Sequence, residues 1–449
     1  MKKIFTTLSL SSLMFFGAFA QNTDNNQIPK RKCGTPTYKE VEQAEAYEKW
    51  VQEAIRKDNQ FANGKKTSTV YTIPVVFHII HTGQAVGTSM NISQAQVNSQ
   101  ITVLNNDFRK LNTDFSTHVT QPGLASLAAD CEINFCAAKV APSGTVMAEP
   151  GIDRILCSSK GWTNPPHTSS YIDGTIKPNS SWDPTKYLNI WIVYMNDGTL
   201  GYAQFPTVPS ASTPTIGDMA GAGGAANRDG VVFDYRYIGT TGTATAPYNK
   251  GRTAVHEIGH WLGLWHIWGD DGTSCSGTDY VTDTPNQADE NYTCPTTNGA
   301  VRTDACTATS PGVNYQNYMD YSDDKCMVMF TAGQKARMQA CMQYCARRTS
   351  LATSTVCSVV SVEENMSNVN MEVYPNPTNG ELYVDITTLD VQDFTISVVN
   401  TLGQTVKEVK QVQSNGGKIK IDLSDKNTGV YFVMVKSKSG SKVKRIVLQ

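Results

Sequence analysis

The sequence predicts an α/β (α+β) domain with a mixed sheet and one functional helix, followed by a small all-β sandwich. Three observations point there. A continuous apolar strand, an amphipathic helix and further apolar strands precede a histidine-rich helix. After about residue 372 the composition changes to short alternating strands separated by Gly-containing turns. A chain of 449 residues with 40% hydrophobic content is also long enough for a sizeable core plus a second domain.

Lys2 and Lys3, the apolar stretch from Leu8 to Phe19, and Ala18-Phe19-Ala20 before Gln21 have the layout of a cleaved secretory signal, so residues 1–20 are expected to be a signal peptide. No cysteine stands at the cleavage point and no later run is long enough for a membrane span; neither a lipid anchor nor a span is expected. Residues 21–66 are expected to be a propeptide, a leader that is polar and Pro-containing to residue 36, after which Thr37 and Glu40 form a capping box ahead of a helix to about Lys57, closed by the exposed turn Asn63 to Lys66. The main domain is expected over 67–350. It opens with a strand from Tyr71 to Ile80 and a helix carrying Ile92, Val97, Ile101, Leu104 and Phe108. Strands over 188–195, 200–206 and 230–238 follow. A linker is expected over 351–372, and over 373–449 five strands are expected, 381–386, 393–400, 418–423, 429–436 and 442–448, with turns at Asn379-Gly380, Leu402-Gly403 and Asn415-Gly416-Gly417.

The most informative run lies at 256–266, His-Glu-Ile-Gly-His-Trp-Leu-Gly-Leu-Trp-His. His256 and His260 stand one helical turn apart, so both imidazoles leave one face and can reach a single zinc ion at about 2.0–2.1 Å. Gly263 allows the left-handed turn that returns His266 as third ligand, and Glu257 is left free as a general base. The other histidines, His78, His81, His118 and His167, lack such spacing and are expected to be structural or superficial.

Together with Asn317-Tyr318-Met319-Asp320-Tyr321, the zinc run resembles the metzincin proteases with their methionine turn, and most of all the pappalysin family in its ulilysin-like bacterial branch, over roughly residues 67–350. The resemblance implies a zinc endopeptidase acting on proteins or peptides, with Met319 beneath the metal and Tyr321 supporting the oxyanion. It also implies that Asp324 lies in the pocket for the residue after the cut, where a carboxylate would favour Lys or Arg; the neighbouring Asp323 could substitute. Cys275, Cys294, Cys306 and Cys326 match in order the insert cysteines of that branch, which implies the pairs Cys275–Cys306 and Cys294–Cys326; the sequence alone allows three pairings. The stretch from Asp279 to Pro285 resembles the family's calcium loop, with Asp279, Asp283 and Thr284 as candidate ligands. The edge that pairs with extended substrate is expected near Gly201 to Gln204.

Arg31-Lys32-Cys33-Gly34-Thr35 looks like a cysteine switch, in which Cys33 occupies the open metal position until the segment is cut away, making the enzyme a zymogen. Cys33 would then be the one thiol left over from eleven cysteines otherwise paired; the competing reading pairs Cys33 and leaves a different thiol free. A preference for basic residues after the cut predicts self-processing before Lys65 or Lys66. The C-terminal module, through Val373 to Pro377, Gly380, Gly429-Val430-Tyr431 and the basic tail Lys442 to Arg445, resembles the sorting domains of type IX secretion; a carbohydrate- or surface-binding sandwich is the alternative. The net charge of −2 is uneven, with the presumed catalytic part acidic, which argues against nucleic acid and suits cationic peptides and calcium. The expected product is a monomer, exported to the periplasm and then across the outer membrane, with the secretion machinery as partner. The rival reading is a secreted binding or adhesion protein with a zinc fold that does not turn over; a third keeps hydrolysis but on a non-peptide amide.

Overall fold

Between Tyr71 and His81 the chain forms β1, whose residues Ile73 to Ile80 are all buried. A strand with no exposed face needs cover on both sides, and β1 is accordingly interior. The computed structural model, in which this is seen, describes residues 30–37, 40, 44–61, 70–119, 122–206, 225–358, 369–400, 405–437 and 440–449. The expected signal segment and the expected cut before Lys65 or Lys66 lie outside them. The chain divides into two units, one ending at Cys357 and one starting at Ser358.

In the first unit, β2 (Ile133–Ala137) and β3 (Ile152–Leu156) pair in parallel with successive halves of β1. On its other side lie β4 (Leu188–Val193), then β6 (Val231–Asp234), both parallel. The short β5 (Gly201–Ala203) is antiparallel to β6 and closes that edge. Alternation along β1 sends Ile73, Val75, Phe77 and Ile79 into one core, against Val97, Leu104 and Phe108 of α2 (Gln94–Phe108) and Ala254, Val255 and Ile258 of α3 (Arg252–Trp261). Ser93 caps α2 by accepting from the Gln96 amide. The opposite face carries His78, held between Asp153 at 2.9 Å and Asn189 at 2.8 Å, a role within the sheet.

Ahead of β1 runs α1 (Ala44–Phe61), where Tyr47 and Val51 pack on Phe205 and Trp265. Upstream, the Glu40 carboxylate accepts from the Thr37 amide at 2.7 Å, the returning half of the expected capping box. Glu48 is buried in this contact. Its carboxylate accepts two bonds from Arg337 of α4 (Ala332–Tyr344), at 2.6 and 2.7 Å, and one from the Trp265 indole at 2.5 Å. Arg337 in turn donates to the Gly263 carbonyl at 2.9 Å, tying α1 to the end of the histidine run.

Cysteine pairing differs from expectation. Cys275–Cys306 and Cys294–Cys326 are bonded, as is Cys136–Cys357, but Cys33, Cys131, Cys157, Cys341 and Cys345 are all free thiols rather than one. Apart from Cys33 they are buried, and Cys131 and Cys157 pack as small apolar side chains, the first within the main core. The Cys136–Cys357 bond also makes Leu351 to Cys357 part of the first unit, so the expected linker begins later than residue 351.

The second unit is an antiparallel all-β arrangement. It contains β7 (Val369–Tyr374), β8 (Glu381–Asn400), β9 (Thr405–Asp422), β10 (Gly429–Ser437) and β11 (Gly440–Leu448). The first half of β8 lies between β7 and β9, and its second half between β9 and β10, so β8 pairs with three strands of one five-stranded sheet. The expected turn at Asn415-Gly416-Gly417 is strand instead: Gly416 and Gly417 pair with Thr387 and Ile386, and register shifts absorb the irregularity. The expected linker also ends earlier, because Val369 to Glu372 already belong to β7.

Candidate metal centre and substrate cleft

The helix α3 brings His256 and His260 to one side, and the chain turns at Gly263, φ 89°, to return His266. The Nε2 atom of His260 lies 3.1 Å from that of His256 and 3.1 Å from that of His266, all three rings being buried. Each Nδ1 is engaged elsewhere: His256 on the Tyr318 carbonyl at 2.7 Å, His260 on the Leu264 carbonyl at 2.7 Å, and His266 on the Asp270 carboxylate at 2.9 Å. Donation from Nδ1 leaves three Nε2 lone pairs facing one point. Their separation is close to the roughly 3.3 Å between tetrahedral nitrogen ligands of one zinc ion, so the residues fit the metal. Among the described residues they form, with Cys33, the one group of metal-ligating side chains, every donor atom within 4.8 Å of the others.

Beneath them lies Met319, fully buried, its amide held by the Asn317 side chain at 2.9 Å. A side chain at Gly259 would come within 2.5 Å of the Met319 sulfur, so the glycine inside the run gives the methionine its place. Glu257 is buried beside the rings, and burial pushes its carboxyl up to about 7 against the opposing pull of bonds from Thr35 and Cys33.

An extracellular metalloprotease of Colletotrichum graminicola is 33% identical over 317 residues, which cover 70% of this chain and 90% of that protein. A family model described as pregnancy-associated plasma protein-A matches residues 171–343. The chain belongs to the pappalysin family of metzincin zinc proteases. Mature mirolysin of Tannerella forsythia, solved with a cleaved peptide, is 42% identical and covers 64% of this chain and 97% of its own, with a TM-score of 0.53. A mutant of promirolysin from the same organism is 39% identical, covers 72% of this chain and 97% of its own, and gives a TM-score of 0.56. Residues 372–449 match a secretion-system C-terminal sorting domain. This pappalysin is therefore a secreted metalloprotease, and among the described residues no helix is long and apolar enough to cross a membrane.

In this pappalysin residues 30–36 run beside β5 and bring Cys33 among the three histidines. They lie along the free edge of β5, with the Lys32 carbonyl accepting from Leu200 at 2.9 Å, the Gly34 amide donating to Gly201 at 2.9 Å, and a parallel bridge at Cys33 and Gly201. Cys33 thereby reaches the three histidines, its sulfur 3.2 Å from the Glu257 carboxylate, and Thr35 donates to the same oxygen at 2.8 Å. Two residues before the thiol, the Arg31 guanidinium meets Asp324 at 2.6 Å with both groups fully buried. The other Asp324 oxygen accepts from the Lys250 amide at 2.8 Å and the Arg252 amide at 3.2 Å, at the positive end of α3. Asp323 is only half-buried.

The Tyr321 ring lies 5.7 Å from that of His256 and 5.1 Å from that of His266. Asp279 is buried and both its oxygens accept from the Thr284 hydroxyl at 2.9 Å. Asp283 is not brought to them: it accepts from the Thr331 hydroxyl and the Gly333 amide at the start of α4.

Sequence reading missed Arg31 as a partner of Asp324, Thr35 as a partner of Glu257, and Asp270 behind His266. For Asp270 a signal existed, since it follows His266 by four residues beyond Gly269. The other two depend on the leader running beside β5, which no local pattern reveals.

Proposed function

We propose that this protease is a zinc endopeptidase that cuts before Lys or Arg and is held latent by residues 30–36. The observation that carries the reading is the Arg31 guanidinium in the buried Asp324 pocket, two residues from a thiol among the three histidines. In the latent chain His256, His260, His266 and Cys33 would hold the ion. When bound, zinc supplies a Lewis acid that acidifies water and polarises the scissile carbonyl. Release of the leader frees the Glu257 carboxylate from Cys33 and Thr35, letting it accept the proton of the attacking water and return it to the leaving amine. The Tyr321 hydroxyl would donate to the carbonyl oxygen as charge develops there. Asp324, left without Arg31, would take the basic side chain after the cut by a charge-assisted hydrogen bond.

Full-length Cys33→Ser and Asp324→Asn chains, incubated with a peptide library and mapped by mass spectrometry, test both parts. The first should show activity before processing, and the second should lose the preference for basic residues by at least tenfold. Latency unchanged in the serine variant would sink the switch; an unchanged cleavage pattern in the asparagine variant would sink the pocket.

Asp279 and Thr284 are proposed to help hold a calcium ion, Asp283 being committed to α4. Burial pushes the Asp279 carboxyl up to about 7, a cost that a hard cation would remove. Calcium is expected to raise the Tm by several degrees and Asp279→Asn to abolish the rise; equal shifts in both proteins would exclude these ligands.

A further inference from the structure

The leader presents three consecutive cations, and each finds its own partner in the cleft. Lys32 reaches Asp197, at 3.5 Å from its carboxylate, on the exposed side. Arg31 enters the Asp324 pocket with its guanidinium 4.9 Å over the Tyr248 ring. Lys30, one residue further from the histidines, places its ammonium 4.6 Å over the centre of the Tyr292 ring.

That ring is fixed in advance. Its hydroxyl donates to Glu290 at 2.8 Å, its carbonyl accepts from Arg302 at 3.0 Å, and the preceding Asn291 binds Asp320 through backbone and side chain at 2.8 and 2.9 Å. Two residues on, Cys294 is bonded to Cys326. The Glu290 carboxylate holds the hydroxyl, and Asp289 also acts on it electrostatically, so two carboxylates stand at the hydroxyl end of the ring. The nearby cation, Arg302, is committed to the Tyr292 carbonyl and the face of Tyr315. A rigid aromatic face edged by carboxylates accepts an ammonium or guanidinium group with little ordering cost.

We propose that Tyr292, with Asp289 and Glu290, forms a second cation-accepting subsite beside the Asp324 pocket, so that the enzyme favours substrates with basic residues at both of the first two positions after the cut. This rests on the reading of Asp324 as the pocket for the first of them. Along the leader, the residue two before the thiol meets Asp324 and the residue before that meets Tyr292, whose ring also lies 6.0 Å from that of Tyr321. A substrate seated by its first residue therefore sets its second over the ring.

The test uses zinc-loaded enzyme obtained by processing the full-length chain, and quenched-fluorescence peptides with Arg or Ala at the first position after the cut and Lys, Ala or Glu at the second. With Arg first, kcat/KM should be about three- to tenfold higher for Lys than for Ala at the second position, and lower again for Glu. Tyr292→Ala should bring the Lys-to-Ala ratio to about one, while Tyr292→Phe, which keeps the ring, should retain it. A ratio near one in the unmodified enzyme that still demands Arg first overturns the subsite and leaves the Asp324 reading standing. A ratio that survives Tyr292→Ala also overturns it. Loss of any preference for Arg over Ala at the first position overturns the Asp324 reading and the subsite with it.

Discussion

Replacing Glu257 with glutamine is expected to lower kcat/KM on a basic peptide by about 10²- to 10⁴-fold, the range for loss of a positioned general base. Glutamine matches the carboxylate in shape, and the site is buried, so the packing around α3 should persist. The change removes the ability to take a proton at the oxygen that now accepts from Thr35 at 2.8 Å and Cys33 at 3.2 Å. The three histidines keep their own acceptors at Tyr318, Leu264 and Asp270, none of which involves Glu257. Bound zinc, counted by mass spectrometry, should therefore remain at one equivalent. The variant would be processed by added active enzyme. Activity within tenfold of the unmodified protein at full zinc content would exclude Glu257 as the base.

Glu48→Ala should have the largest effect on stability. The Glu48–Arg337 pair is buried on both sides, with the guanidinium bonded at 2.6 and 2.7 Å. Removing the acid strands a cation in the protein interior, a change worth roughly 3–5 kcal/mol. Arg337 keeps its bond to the Gly263 carbonyl and the field of Asp279, which offset part of that cost. The experiment is urea unfolding of the full-length chain in a Glu257→Gln background, which prevents self-digestion, together with hydrogen exchange over 44–61. Exchange in α1 should rise more than in β1, since α1 loses its anchor while the sheet keeps its core. A stability change below about 1 kcal/mol would mean that the pair does not hold the leader down.

The parts of this architecture that were legible in the sequence are those where covalent spacing sets geometry. Three histidines at fixed offsets along a helix and a glycine turn leave few places for the rings to go, and β1 and α2 followed from their runs of apolar residues. What was hidden has a common cause. Arg31 and Asp324, or Glu48 and Arg337, are brought together by folding across 293 and 289 residues, and nothing in a charged residue's local setting names its distant partner. The strands β2 and β3 are short and only partly buried, so neither run length nor alternation marks them. Asn415-Gly416-Gly417 reads as a turn because glycine tolerates one, yet a long hairpin with register shifts accommodates the same residues as strand. The cysteine count misled because parity assumes oxidation, whereas Cys131 and Cys157 each lie where a small apolar group packs.

The bond between Cys136 and Cys357 closes a covalent ring through 221 residues of chain. Strands β3 to β6, the histidine run, the insert with its own two bonds, the methionine turn and α4 all lie inside that ring. The leader from Lys30 to Phe61 and the sorting module from Val369 onward lie outside it. Trimming at either end, before β1 or after Cys357, leaves the ring's covalent connectivity unchanged. The three histidines, Glu257 and Asp324 are thus housed in one closed covalent loop, with residues 30–61 ahead of it and the sorting module behind it.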